Sequence, residues 1–264
     1  MRFPIFHLDA FTDRLFSGNP AAVVVLESWL DDATLQAIAA ENNLSETAFV
    51  IPQGECSPLR WFTPKQEVDL CGHATLAAAA VLFRHYYPQQ TQLSFSTLSG
   101  VMTVARDAGQ GERLWLDFPA RPGLASPVLP IVADALGALP QAVFQSRDML
   151  CVFDNAAAVA ALRPDFKRLA ELDVFAVIAT APGEEVDFVS RFFAPRAGID
   201  EDPVTGSAHC TLIPYWAERL AKTALSARQI SARGGMLWCE MRGERVGIGG
   251  KVVEFSRGEI TLTR

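Results

Sequence analysis

Apolar and polar positions along this chain alternate with two periods, and the segments they define recur in the same order in each half. In the first half, strand-like runs at Arg2–Asp9 and Ala21–Leu26 flank a turn at Ser17-Gly18-Asn19-Pro20, and a helix is expected from about Asp31 to Asn42. The β-rich runs Thr47–Ile51 and Leu59–Phe62 precede a helical apolar stretch, Gly72–Tyr86. Strands near Leu93–Phe95, Val101–Arg106 and Leu114–Phe118 complete that half. The second half predicts helices at Ile131–Leu136, Ala156–Arg163 and Phe166–Leu172, with strands at Met149–Phe153, Val174–Thr180 and Val186–Phe193. A helix Gly206–Leu220 follows, then strands at Gln229–Ala232, Met236–Arg242 and Glu244–Ile248, and two more across Gly250–Thr263. Strands dominate each half, and each half carries one long helix rich in alanine or aromatic residues that should be buried.

The recurrence extends to the residues themselves. Arg60-Trp61-Phe62-Thr63-Pro64 leads into Leu70-Cys71-Gly72-His73-Ala74, and Arg191-Phe192-Phe193-Ala194-Pro195 leads into Val204-Thr205-Gly206-Ser207-Ala208. Each copy reads as strand, turn, then a glycine that opens a helix. Further on, Ser99-Gly100-Val101-Met102 is echoed by Arg233-Gly234-Gly235-Met236. A duplicated unit of this kind predicts two similar halves related by a pseudo-twofold axis. Two helix N-termini would then converge on one cleft, where free amides and the helix dipole favour an anion such as a substrate carboxylate. The proline-rich run from Pro119 to Pro130 reads as the linker, since proline supplies no ladder donor. The halves are therefore expected at residues 1–119 and 120–256, with 257–264 returning to complete the first.

Composition narrows the function. The 264 residues are half apolar and carry a formal charge of −7, which speaks against nucleic acid as the partner. The first residues, interrupted by Pro4, Asp9 and Asp13, do not read as a signal peptide, and the longest clean apolar run, Leu76–Phe83, is too short to span a bilayer. Five cysteines without CxxC spacing are most simply reduced thiols in a cytoplasm. The four histidines show no metal-ligand spacing, so no metal is expected. Gly206-Ser207-Ala208-His209 lacks the nucleophile-elbow spacing, and Gly247-Ile248-Gly249-Gly250 lies among late strands rather than in a dinucleotide fingerprint.

Three clusters carry candidate chemistry. Glu46 sits between a helix end and a β-forming run, where a partly desolvated carboxylate acts as a base on a C–H bond. A surface glutamate opening a strand would read the same way from spacing alone. In Asp69-Leu70-Cys71-Gly72-His73, Gly72 permits close backbone approach. His73 lies in the first helical turn, where the dipole favours a neutral ring, and Cys71 is either an activated thiolate or a small buried group. In Asp202-Pro203-Val204-Thr205-Gly206-Ser207, Asp202 stands four residues before the glycine and Ser207 occupies the position of His73. An acidic helix cap is the competing reading there.

At these clusters the chain resembles the PhzF family of phenazine-biosynthesis-like isomerases. The matching pieces are Phe16-Ser17-Gly18-Asn19-Pro20-Ala21, Asn43-Leu44-Ser45-Glu46-Thr47-Ala48-Phe49, Cys71-Gly72-His73-Ala74-Thr75, and Glu201 through His209. The resemblance implies an α+β fold of the diaminopimelate-epimerase type: two β-barrel-like halves, each wrapped around a central helix, with the active site in the cleft between them. It implies a metal-free, cofactor-free isomerase of a small carboxylate-bearing substrate, working as a homodimer. By the same resemblance the catalytic residues are Glu46, His73 and Asp202, with Gly72 and Ser207 binding substrate; the repeated helix start adds Gly206 to the binding residues, and Cys71, beside Gly72, is placed with them. The related epimerases use two facing cysteines; here Thr205 stands opposite Cys71, which disfavours two-thiol racemisation. An amino-acid racemase or epimerase and a non-catalytic metabolite binder remain as alternatives.

Overall fold

The computed structural model describes residues 1–109 and 112–262. Contacts divide the chain into two units, Met1–Asp117 with Gly249–Arg264, and Phe118–Ile248. The chain thus re-enters the first unit at Gly249, ahead of residue 257.

The first unit opens with β1 (Arg2–Ala10) and β2 (Asn19–Val25), followed by α1 (Asp32–Asn42), β3 (Glu46–Val50), β4 (Cys56–Phe62) and the short β5 (Glu67–Val68). Helix α2 (Gly72–Val81) precedes β6 (Gln92–Thr97), β7 (Gly100–Arg106) and β8 (Leu114–Pro119), which runs into the second unit. There the chain forms β9 (Leu124–Ser126), α3 (Pro130–Leu136), β10 (Ala142–Gln145), β11 (Met149–Val152), α4 (Ala156–Ala161), α5 (Phe166–Glu171), β12 (Val177–Pro182) and β13 (Phe188–Phe193). Helix α6 (His209–Leu220), β14 (Ala224–Gln229), β15 (Gly235–Arg242) and β16 (Arg245–Gly250) follow, and β17 (Val252–Thr261) ends the chain.

In the first unit β1 is flanked by β2 and β17, both antiparallel, while β2 and β3 run parallel. The two short strands expected across Gly250–Thr263 are one continuous strand, because Gly258 sits opposite Ile5 in register instead of breaking the ladder. Thr263 and Arg264 lie outside the described residues. Helix α1 lays Leu35, Ile38 and Ala39 on Ile5, Ala22, Val24, Phe49 and Phe62. Every residue of α2 is buried, as an all-round apolar, alanine-rich helix must be, and it packs on β1, β2 and β3. The helical run expected to Tyr86 leaves α geometry at Leu82 and finishes as a π-helical turn, Leu82–Tyr86.

In the second unit β10–β13 carry a core shared with α3, α4 and α5. Trp216 of α6 stacks on Phe188 at 5.6 Å and donates from Nε1 to Thr180 Oγ1 at 3.0 Å. Part of the proline-rich linker is strand β9, paired with β10; at three and four residues both are too short for a period to show. Pro214 stands inside α6 and has no N–H to give Cys210 O, which accepts from Arg121 N at 2.8 Å instead. No helix among the described residues is long and apolar enough to cross a membrane, and all five cysteines are free thiols.

The repeated sequence produces a repeated interaction. Arg60 donates from Nε and Nη2 to the two carboxylate oxygens of Glu67 at 2.6 and 2.7 Å, with its guanidinium 5.0 Å from the Phe62 ring centre. Arg191 makes the same fork to Glu201 at 2.7 and 2.8 Å, 4.9 Å from Phe193. Each arginine also holds a helix end: Arg60 Nη1 donates to Asp32 at the start of α1, and Arg191 Nη1 to the carbonyls of Val159 and Leu162 at the end of α4. Gly100 and Gly234, the downstream echo, both adopt left-handed φ, 95° and 64°.

Because the Arg191 fork is largely shielded from water, Arg191→Met strands the Glu201 carboxylate and two carbonyls. Urea denaturation should show a loss of about 2 kcal/mol, with Arg191→Lys recovering only part for want of a planar fork. A loss below about 0.5 kcal/mol would reduce the fork to an ordinary surface pair.

Candidate active site

Local structure brings Glu46 to its place. Asp31 caps α1 by accepting from Thr34 N at 2.9 Å, and Asn43 ends it in a left-handed conformation, φ 49°, that asparagine tolerates. The chain reverses there, so that Glu46 becomes the first residue of β3. Parallel pairing sets Glu46 opposite Ala21 of β2, two residues from Asn19 at the head of that strand. Glu46 is 9% exposed.

The second approach is through β4 and β5. Their hairpin is closed by Thr63 N donating to Gln66 O, and locked by the Arg60–Glu67 fork. Beyond it, Ser99 Oγ donates to Asp69 O at 2.7 Å. Cys71 is extended and supplies no side-chain bond to the first amides of α2, while Thr75 Oγ1 donates back to Cys71 O. These restraints deliver Cys71, Gly72 and His73 beside Glu46. His73 Nε2 stands 3.3 Å from Glu46 Oε2; on the other edge of the ring, Nδ1 meets Asn19 Nδ2 at 3.2 Å and Cys71 Sγ at 3.5 Å. Nε2 lies close to the carboxylate yet makes no hydrogen bond in the structure.

Burial pushes the His73 imidazole down to about 3, so the ring is neutral and its contact with Glu46 is not an ion pair. Desolvation is the cause of the shift. Glu46, Cys71 and His73 also set three ligand-type atoms within 4.8 Å of one another. No residue spacing announces this, because β3 and α2 are brought together only by the fold.

The second unit builds its own cluster. Asp202 N donates to Phe192 O at 3.0 Å, which holds the Asp202 turn to the end of β13. The Thr205 hydroxyl donates to Asp202 Oδ2. Fully buried Gln229 bridges the turn: its Oε1 accepts from Thr205 N at 2.8 Å and its Nε2 donates to Asp202 O at 2.8 Å. Gly206 does not open an α-helix as expected. Residues 206–208 form a tighter turn with His209 N bonded to Gly206 O and Cys210 N to Ser207 O, and α6 begins only at His209. Ser207 is half-buried at this turn, and burial also lowers His209, to about 4.

The predicted residues therefore fall into two groups, Glu46, Cys71, Gly72 and His73 in one unit and Asp202, Gly206 and Ser207 in the other. Sequence reasoning passed over two members. Asn19 lay within a quoted motif without a role. Gln229 was hidden because β14 buries Leu225, Ala227 and Gln229 in alternation, and a polar third position moved the expected strand to Gln229–Ala232.

The fold that sets this shielded carboxylate against a neutral imidazole is of the diaminopimelate-epimerase-like type. The chain belongs to the PhzC-PhzF family of phenazine biosynthesis-like proteins, whose signature matches residues 8–258. It is 53% identical over 265 residues to an uncharacterized isomerase of Pseudomonas aeruginosa, covering all of both chains. It is 49% identical to a PhzF-family protein of Enterococcus faecalis, whose crystal structure superposes with a TM-score of 0.96 over 99% of this chain and 100% of that one. A probable proline racemase from Agrobacterium radiobacter shares the fold at 10% identity, with a TM-score of 0.67 over 99% of this chain and 93% of that one.

A buried neutral histidine leaves a signature in stability. Between the ordinary value of 6.5 and about 3, the unfolded chain binds a proton at His73 that the native chain does not. Stability therefore falls as pH falls through that window and is fully restored above it. In His73→Gln, the slope of unfolding free energy against pH should decrease by about one proton between about pH 4 and 6, His209 still contributing its own. An unchanged slope would mean a ring that protonates freely in the native state.

Proposed function

We propose that this protein is an isomerase that moves a proton on a small carboxylate-bearing metabolite and thereby shifts a double bond, with Glu46 as the acid/base. The observation that carries the reading is the shielded Glu46 carboxylate 3.3 Å from the nitrogen of a neutral, buried imidazole, at the uncapped start of α2. Relatives named as isomerases agree with it.

The Glu46 carboxylate takes a proton from one carbon of the substrate. The electron pair of that C–H bond moves into an enol-like system, whose charge an N–H of His73 stabilises, while the role this reading gives Asp202 is to orient the substrate's polar group by accepting from it. Glu46, now a carboxylic acid, returns the proton to another carbon on the same face, so the cycle balances within the protein and substrate. The substrate carboxylate binds backbone amides at the start of α2, at Gly72; Gly206 and Ser207 are the matching binding positions of the second unit. Neither glycine is among those with left-handed φ, so close approach explains them better than backbone need does. Racemisation by two facing acids is disfavoured, since the residue matching Cys71 is Thr205 and its proton is already donated to Asp202. Acid–base catalysis of this kind contributes roughly 10²–10⁴-fold, and positioning with charge stabilisation supplies the remainder.

A thermal-shift screen of small cyclic and unsaturated carboxylic acids, followed by NMR of each hit in D₂O, identifies the substrate class. With a turned-over hit, Glu46→Gln should keep affinity within roughly tenfold and lose ~10²-fold or more in hydrogen exchange, while Cys71→Ala loses far less. The reverse ranking would transfer the base to the thiol, and stabilisation without exchange in the wild type would make the protein a binder.

The anion assignment is separately checkable. Gly72→Val should weaken acidic ligands by roughly tenfold or more in calorimetry while the fold stays intact, because a branched side chain blocks backbone approach. Equal affinity in the variant would put the carboxylate elsewhere.

A further inference from the structure

The buried His73 ring has one proton to place and two nitrogens to place it on, and its neighbours are not alike. A neutral imidazole offers one N–H and one lone pair. On the Nδ1 edge stand two donors, the Asn19 amide nitrogen at 3.2 Å and the Cys71 sulfur at 3.5 Å. On the Nε2 edge stands a carboxylate oxygen, Glu46 Oε2, at 3.3 Å, an acceptor whenever it is ionised. A proton on Nδ1 would press N–H against N–H and S–H while turning a lone pair towards the carboxylate. A proton on Nε2 suits both edges: the Nδ1 lone pair accepts from its donors, and the N–H faces the side of an acceptor without being bonded to it. The thiol reinforces the choice, because sulfur is a weak donor and a poorer acceptor, and it would gain little from an N–H aimed at it. Asn19 is fully buried and opens β2, where its backbone pairs with Ala10 of β1, so its Cα is fixed and its amide is enclosed beside the ring.

We propose that Asn19, seconded by the Cys71 thiol, is a positioning residue that holds His73 as the Nε2–H tautomer, so that the ring presents a donor on the Glu46 side. The inference rests on the acid–base reading of Glu46 and His73 only for its consequence, not for its geometry. Its consequence is directional: the stabilising role assigned to His73 requires an N–H next to the carboxylate, and the opposite tautomer would show a lone pair to a developing negative oxygen. Nε2 makes no hydrogen bond in the structure, so this donor is not already spent within the protein. Asn19 thus acts on the reaction through His73 and not by contact with the reacting carbon.

The tautomer is directly measurable by long-range ¹H–¹⁵N correlation of the ring nitrogens in ¹⁵N-labelled protein, without any substrate. His73→Gln identifies the His73 signals by their loss. The wild type should show Nε2 in the protonated, pyrrole-type range and Nδ1 in the unprotonated range. Cys71→Ala should keep that pattern, since the amide still donates. Asn19→Asp keeps the shape but replaces the donor with an acceptor, so the proton should appear on Nδ1. If Asn19→Asp turns a substrate over, hydrogen exchange should fall roughly tenfold or more with affinity little changed. A protonated Nδ1 in the wild type would overturn the proposal, and so would an Asn19→Asp spectrum identical to it. A failure of the isomerase reading would leave these spectra as they are and show itself instead in a wild type without exchange.

Discussion

The chain depends most on one interaction made twice: an arginine near the end of a strand gripping a glutamate five residues before a repeated glycine. Arg60 holds Glu67 ahead of Gly72, and Arg191 holds Glu201 ahead of Gly206. Between strand and helix the backbone must turn sharply and still deliver particular side chains to the helix start. A planar guanidinium bound at both carboxylate oxygens fixes distance and rotation at once, which a lysine does not. The turns enclosed by the forks differ, a seven-residue separation in one unit and ten in the other, yet the fork and its phenylalanine recur. What lies past the fork has diverged. One copy presents Cys71, Gly72 and His73 on a regular α-helix, the other Thr205, Gly206 and Ser207 on a tighter turn. The scaffold is symmetric in its anchoring and asymmetric in its chemistry.

That asymmetry has an electrostatic side. The first unit keeps a neutral ring and a carboxylate together in a place poor in water, and the ring's proton affinity is suppressed by burial. The second unit ties its aspartate into hydroxyl and amide groups, Thr205 and Gln229, that carry no charge at any ordinary pH. One cluster is suited to exchanging a proton and the other to holding a shape.

Much of this was legible in the sequence wherever a local rule governed. Helix α1 follows from its Asp31 cap and Asn43 exit, and α2 from an alanine-rich run that could only be buried. Glu46 and His73 stood out because a family motif marks them, and the glycine echo at Gly100 and Gly234 returned as two left-handed turns. Where a long-range contact governed, the reading failed. β14 buries a glutamine whose value lies in bridging a distant turn, so periodicity slid the strand by several residues. Gly206 looked like Gly72, but the Asp202–Thr205 bond draws its turn tighter. β9 and β10 are strands only because each has the other. The meeting of Asn19, Cys71, His73 and Glu46 depends on strand register, which no spacing expresses.

Asn19 is followed by Pro20, and it is wholly enclosed. Asparagine in proteins ages chiefly when the next residue's backbone nitrogen, carrying a hydrogen, attacks the side-chain amide and closes a succinimide ring that opens to aspartate. Proline has no such hydrogen to lose. The residue beside His73 is therefore exempt from the spontaneous chemical decay that would turn its donor into an acceptor. Pro20 thereby guards the imidazole's proton against the passage of time.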